Sequence, residues 1–458
     1  MKGVTVTPMS MPMNLPARSA SLSRPATLSL AGRVFIAVLL IVVFEGAIRK
    51  WVASSTTLPL ILMRDLLALG LIVYAWWGGH LRRYAKVSLV LLAWSCCVIA
   101  WGLMQLVAGE SSPVVFVIGL RFWLLYIWFA VAAASTLNEA DYRAAVRAAV
   151  LVMIVLAPLA VLQYYSPPGA TINRQLEGDE SLIFVVVAGV VRTTGTFSFT
   201  SGYSTYLILV APLIFGVLGA RKRTVAHRIF ALVVFGAFLT ASVVSGSRTA
   251  VISSGFMLGA YLVARFLFAK TRDKPAALGA ALMALALVGA FAFFLSDAVQ
   301  VTQQRFQDAA GAEDFTDRVL SIFVGEPYVL GNTTWLGQGI GAGSNLATSL
   351  GRADAGNFGL AESETGRIVL EGGVLGFAFI ALKVLVLLAG MAYSVRLSAV
   401  RHTAFPVLMW LASVIAIMTW QAIGQLTANA LLGLLLGYFL LIFRYPSGDF
   451  FPARTSPK

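Results

Sequence analysis

An all-α polytopic membrane protein with about twelve transmembrane helices is the fold class this chain predicts. Three observations carry that prediction. Of 458 residues, 59% are hydrophobic and 12% charged, with mean hydropathy +0.85, too apolar for a water-soluble domain. Apolar runs of roughly 17 to 25 residues recur along the whole length, each able to cross a ~30 Å hydrocarbon core as a helix. Basic residues gather in alternate loops, the pattern that orients helices in a bilayer.

In chain order, residues 1–30 form a polar, Pro- and Ser-rich tail that predicts disorder on the cytoplasmic side. The first apolar run is long and lacks a small-residue cleavage site before the next loop, so it reads as a signal anchor. Spans follow near 31–48, 58–78, 88–107, 113–134, 147–165, 202–219, 229–246, 249–268 and 275–296, all within 31–296. A large loop occupies 297–366. Three more spans, near 367–390, 404–421 and 427–443, fill 367–443, and 444–458 is a second cytoplasmic tail. Cys96 and Cys97 are adjacent inside the third span and build neither a disulfide framework nor a zinc site.

The net charge of +14 and pI near 10 would suit nucleic acid in a soluble protein. Here the placement decides otherwise. Arg82, Arg83 and Lys86; Arg221, Lys222, Arg223 and Arg228; Lys270, Arg272 and Lys274; and Arg396 and Arg401 fall in every second loop. The positive-inside rule makes those loops cytoplasmic, with both termini inside. One loop dissents: Arg49 and Lys50 then lie outside.

On the outer face two loops are long, 166–201 and 297–365. The second spans about seventy residues, a length that usually marks function. It is acidic, carrying Asp297, Asp308, Glu313, Asp314, Asp317, Glu326, Asp354, Glu362 and Glu364 against Arg305, Arg318 and Arg352. Its segment VQVTQQRFQDAAGAEDFTDRVLSIF has helical spacing, with Phe306, Phe315, Val319 and Phe323 for one apolar face. It reads as a periplasmic helical cap lying on the membrane.

Three cations sit where cations are expensive: Arg121, Arg192 and Arg248. Arg121 falls roughly 12 Å below the outer end of its span. Uncompensated, it costs about 2.5–3.5 kcal/mol on insertion scales. An internal pair with Glu45 or Asp65 is one solution. For Arg192 and Arg248 the plain solution is interface anchoring. The other reading of all three is a cavity for an anion, because guanidinium forks grip phosphate bidentately and stay charged. Thr194, Ser198 and Ser201, in VVRTTGTFSFTSGYSTYL, can donate to the remaining phosphate oxygens or cap the following helix. That stretch reads as a diphosphate cradle.

Other signals read more plainly. GQGIGA matches G-x-G-x-x-[GA] without a preceding strand or βαβ unit, so it reads as a flexible turn bordering the cavity. Trp76, Trp77, Trp101, Trp123 and Trp128 fit an aromatic belt. Tyr164, Tyr165 and SPPGATIN suit interface anchoring, or stacking on sugars. Lys383 lies midway along the tenth span with an inward snorkel and no role.

RTTGTFSFTSGYSTYL, SGSRTAVISS, and GQGIGAGSN followed by AESETGRIVLEGGVLGF stand in this order and topological placement. On these motifs the chain resembles the O-antigen ligase and O-antigen polymerase superfamily of bacterial inner-membrane glycosyltransferases. FEGAIRKW and LMRD resemble a polysaccharide-associated branch of it. The resemblance covers most of the chain from Arg33 to Arg444. It implies metal-independent, cofactor-free transfer of a glycan from an undecaprenyl-diphosphate carrier to an acceptor hydroxyl on the periplasmic side. It further implies membrane lipids and polysaccharide-export or chain-length-control proteins as partners, and no nucleic acid. By position, Arg192 and Arg248 would hold the diphosphate, with Arg318 and Arg367 as further candidates and Arg121, Tyr203, Ser247 and Asn345 supporting the cavity.

The chain departs from the ligase pattern in one respect. Its large loop has no histidine; His80, His227 and His402 all fall in predicted cytoplasmic loops. The base is then a carboxylate, Glu362 or Glu364 with Asp354 as a third choice, or there is none and these acids are solvated loop residues or caps of the following span; repeat-unit polymerisation is favoured over ligation. The alternative class is a twelve-span secondary transporter. Against it, the long segment follows the ninth span rather than joining two six-span halves, and the intramembrane acids Glu45, Asp65 and Glu371 are few and near span ends.

Overall fold

The computed structural model describes residues 27–174, 191–220, 224–310, 315–350, 358, 361 and 363–446, with the backbone alone at 305–306, 308–310 and 315–319. The disorder expected of the N-terminal tail, Asp354, Glu362 and the side chain of Arg318 lie outside the described residues. So does most of the apolar face expected around Phe306, Phe315 and Val319.

Helices build most of the described residues. Their order is α1 (Leu30–Trp51), α2 (Thr57–Trp77), α3 (Ala85–Val107), α4 (Pro113–Leu120), α5 (Tyr126–Thr136), α6 (Glu139–Tyr165), α7 (Thr200–Gly219), α8 (Val225–Val243), α9 (Arg248–Phe268) and α10 (Lys274–Phe294). There follow α11 (Ser296–Ala310), α12 (Phe315–Val324), α13 (Pro327–Gly331), α14 (Asn345–Ser349), α15 (Glu364–Gly372), α16 (Val374–Arg401), α17 (Phe405–Thr419) and α18 (Leu426–Leu441). Among the described residues, ten helical stretches are long and apolar enough to cross a membrane. Each matches a predicted span within a few residues, except α6, which begins eight residues earlier, and α16. The last two predicted spans are α17 and α18, of 15 and 16 residues, or about 22–24 Å at 1.5 Å per residue. The segment predicted as a helical cap is helical in backbone, as α11 and α12.

Two predicted continuous helices are interrupted. The span predicted at 367–390 divides at Gly373, whose φ of +54° is open to glycine and whose added Cβ would lie 2.2 Å from the Trp335 carbonyl oxygen. The span at 113–134 holds a π-helical turn at Arg121–Leu125 between α4 and α5, a feature frequent at functional sites.

Helix α7 is the centre: nearly every residue from Gly202 to Val217 is buried, and α6, α8, α9, α17 and α18 pack on it. Gly433 and Gly437 of α18 let it lie close against Tyr126 and Ala130 of α5 and Phe35 of α1, the small-residue packing that membrane helices use.

Hydrogen bonds sort the helix ends. At one end Ser29 donates to Asp141, Arg83 donates to the Ser135 carbonyl, Arg444 donates to the Ala134 and Leu137 carbonyls, and His402 Nδ1 lies 3.2 Å from the Phe268 carbonyl. The described basic loops share this end. The hydroxyl stretch, the Gly-rich loop and the α17–α18 break share the other.

Candidate functional site

The hydroxyl stretch packs as a folded loop against α1. Gly46 permits it: a Cβ there would lie 2.3 Å from the Ser198 amide nitrogen. Thr196 Oγ1 donates to the Val43 carbonyl at 2.6 Å. Gln163 pins the turn, its Oε1 accepting from Thr194 N at 3.2 Å and Gly195 N at 2.7 Å. Lys50, only 3% exposed, donates from Nζ to Thr194 Oγ1 at 2.8 Å and to the Gly195 carbonyl at 2.9 Å. Arg49 donates from Nη1 to Ser198 Oγ at 3.2 Å. The two cations that broke the charge alternation are therefore the ones that hold this loop.

Arg192 opens the same segment and is half-buried. Burial, and then the neighbouring Arg248 guanidinium, hold it below the usual arginine range. Arg49, Lys50, Arg192 and Arg248 thus gather around residues 192–198. Ser247 caps α9, accepting from Ala250 N at 3.4 Å. Ser201 is exposed and donates to Gln425 Oε1 at 3.1 Å. Tyr203 is different: it is wholly buried, with its hydroxyl on the Ala241 carbonyl at 2.9 Å, so it packs the core.

The Gly-rich loop is pinned, not the flexible turn the sequence suggests. The fully buried Glu371 carboxylate accepts from Gly341 N at 2.9 Å, Gly343 N at 2.9 Å and Trp123 Nε1 at 2.8 Å. Gln105 adds three bonds, donating to the Leu336 and Glu371 carbonyls and accepting from Ile340 N. Successive amides converging on one anion form a nest. Here the protein's own carboxylate fills it. Trp123, expected in an aromatic belt, is 0% exposed because its indole N–H serves this bond.

The break between α17 and α18 joins these parts. Glu364 is 3% exposed and accepts from Ile423 N at 3.1 and 3.3 Å, with Lys383 Nζ at 3.8 Å. Burial raises its carboxyl above the usual range, opposed by Lys383. In this arrangement it anchors the break and presents no oxygen to solvent. Lys383 therefore points toward the N-terminal end of α16, opposite to the predicted inward snorkel, because helical side chains lean that way and its carboxylate partner lies there. Arg367 donates from Nε to the Ala361 carbonyl at 2.9 Å and from Nη1 to the Gly343 carbonyl at 3.0 Å. Asn345 is exposed, and its amide donates to the Gly424 carbonyl at 2.9 Å.

Beneath this end lies a ladder of charges, Arg64 and Glu45 buried and Arg121 and Asp65 partly so. Arg64 Nη1 meets Glu45 Oε2 at 2.7 Å, and Arg121 meets Asp65 Oδ2 at 2.8 Å. Tyr126 donates to Asp65 Oδ1 at 2.8 Å, and Asn429 donates to the Phe122 carbonyl at 2.9 Å. Arg121 thus takes the internal-pair solution, with Asp65 as partner, rather than lining an open cavity. Two acids balance two cations, the condition for charge inside a membrane.

Of the sequence candidates, Arg192, Arg248, Thr194, Ser198, Ser201, Ser247, Asn345, Glu364 and Arg367 share one end of the bundle, while Tyr203 and Arg121 lie within it. Arg49, Lys50, Gln163, Glu371 and the 421–425 break belong to the arrangement and were not among those candidates. Arg49 and Lys50 carried a signal as charges in the wrong loop, and Glu371 as an acid at a span end; Gln163 and the break carried none. Thr194, Ser198 and Lys50 are buried and serve the loop itself, so the half-buried Arg49, Arg192 and Arg248 with the exposed Ser201 are the groups that can meet a polyanion such as a diphosphate. No family model matches this chain, and no curated protein matches it in sequence.

Proposed function

We propose that this protein is a periplasm-facing glycosyltransferase of the bacterial inner membrane, with twelve spans and both termini cytoplasmic. It moves a glycan from an undecaprenyl-diphosphate carrier to an acceptor hydroxyl, as repeat-unit polymerisation or chain ligation in surface-polysaccharide synthesis. The observation that carries the reading is the gathering of Arg49, Lys50, Arg192 and Arg248 on the hydroxyl segment 192–198. The resemblance in motif order supports it independently.

The acceptor oxygen attacks the anomeric carbon, and the bond from that carbon to the diphosphate oxygen breaks. The electron pair leaves on the lipid diphosphate, whose growing charge the fixed guanidinium groups stabilise. The hydroxyl proton passes to a carboxylate, which must lie within about 3 Å. Glu364 is committed to the Ile423 amide, so Glu362 or Asp354 is the base in this reading. No metal or cofactor enters.

The test is the length distribution of carrier-linked glycans in cells with the wild type, with Arg192→Ala or Arg248→Ala, and without the protein. Single repeat units accumulating identify a polymerase, and long carrier-linked chains a ligase. An unchanged pool refutes both. The runner-up, a secondary transporter, is favoured by the ladder of charges and the broken α17–α18 pair, both common in carriers. Substrate flux into proteoliposomes with an unchanged glycan pool would establish it.

A further inference from the structure

We propose that Gly424 is a positioning residue for the Arg367 guanidinium, which it seats as an anion-binding group for the diphosphate of the carrier. The inference rests on the glycosyltransferase reading and concerns a residue to which that reading gives no role.

Arg367 is tied at two of its nitrogens. Nε donates to Ala361 O at 2.9 Å and Nη1 to Gly343 O at 3.0 Å. No acceptor among the described residues meets its Nη2. Held at Nε and Nη1, one donor of each of its two paired edges, the guanidinium keeps Nη2 as its donor toward a phosphate oxygen, and it is pre-organised because little side-chain freedom remains to lose.

Each wall of the seat is itself fixed. Gly343 cannot move without releasing its own amide from Glu371, at 2.9 Å. Gly424 is tied through its carbonyl to Asn345 N, also at 2.9 Å. The last wall is the α-carbon of Gly424. A Cβ there would lie 2.4 Å from Arg367 Nη1, while the nearest backbone atom, Gly343 O, would be 3.4 Å away. Any side chain at 424 therefore displaces the guanidinium and little else. That position lies in the break joining Gln425, the partner of Ser201, to Ile423, the partner of Glu364. The glycine thus sets where one cation stands relative to the hydroxyl segment.

The experiment is binding of farnesyl diphosphate to the full-length protein in detergent, for wild type, Gly424→Ala, Arg367→Ala and the double variant. Gly424→Ala is expected to weaken binding on the order of ten-fold, matching Arg367→Ala. In the Arg367→Ala background it should add nothing, since the group it displaces is gone. Gly424→Ala should melt close to wild type. If it does not fold, the double variant must, because removing the guanidinium removes the clash.

Equal weakening by Gly424→Ala in both backgrounds would overturn the proposal, as would wild-type affinity in either single variant. A wild-type protein that does not take up the probe overturns it outright. The assay uses no turnover, so these outcomes stand apart from failure of the enzymatic reading, which an unchanged carrier-linked glycan pool would reveal.

Discussion

Replacing Glu371 by alanine should be among the most damaging single changes in this protein. Its carboxylate receives Gly341 N, Gly343 N and Trp123 Nε1 at 2.9, 2.9 and 2.8 Å, and both it and the Trp123 side chain are 0% exposed. A hydrogen bond to a charged acceptor contributes about 1.5–3 kcal/mol, and a buried donor left unpaired costs about 1–3 kcal/mol. Losing all three would exceed ~4.5 kcal/mol gross, but water entering the vacated space can solvate the loop amides, and a desolvated charge is removed. The expected net loss is about 3–5 kcal/mol, the size seen when a buried charged group loses its partner. Glu371→Gln keeps the shape with one acceptor oxygen and should cost roughly half as much. The assay is unfolding in detergent, with hydrogen exchange of the 337–345 segment as a local readout. An alanine variant within about 1 kcal/mol of wild type, with those amides still protected, would refute the claim that this carboxylate organises the loop.

Other expectations follow from the same contacts. Asp65→Ala strips Tyr126 of its acceptor and leaves Arg121 with Asn429 Oδ1 at 3.4 Å in place of its carboxylate. It should destabilise by about 3–5 kcal/mol, and thermal melts should show partial recovery when Arg121→Leu is added. Lys50→Met keeps the buried stem but leaves Thr194 Oγ1 and the Gly195 carbonyl without their donor. Hydrogen exchange around 193–198 should rise, and unchanged protection would deny Lys50 its holding role. Gly46→Ala forces α1 away from the Ser198 backbone and should cost at least about 1–3 kcal/mol, read as lower folded yield. Glu364 has its folded pKa raised by burial. Its contribution is therefore fully present below the unfolded value near 4.3 and is lost as pH rises through the folded value. Stability measured from acid to neutral pH should fall less steeply in Glu364→Gln than in wild type.

The positions of the helices were legible because hydropathy is local: a run of apolar side chains must leave water wherever it ends up, whereas the polar first turns of α6, capped by Asn138, carry no such run and were missed. The alternation of basic loops was legible for the same reason. Arg121 sits between the two cases. Its burial demanded a partner and narrowed the choice to Glu45 or Asp65, but only the packing of α2 on the π-turn selects Asp65. Pairing across the fold was invisible. Arg49 and Lys50 looked like a topology fault until α1 met a loop about 145 residues away in sequence. Glu371 looked like a span-end acid until the glycine loop closed on it, and Lys383 was aimed wrongly because its carboxylate stands on another helix. The chain alone decides which segments are long and apolar enough to cross a membrane, since each residue's transfer free energy depends little on its neighbours. Which polar groups meet there is settled by tertiary packing, because a buried donor is satisfied by whatever residue the fold brings within about 3 Å of it.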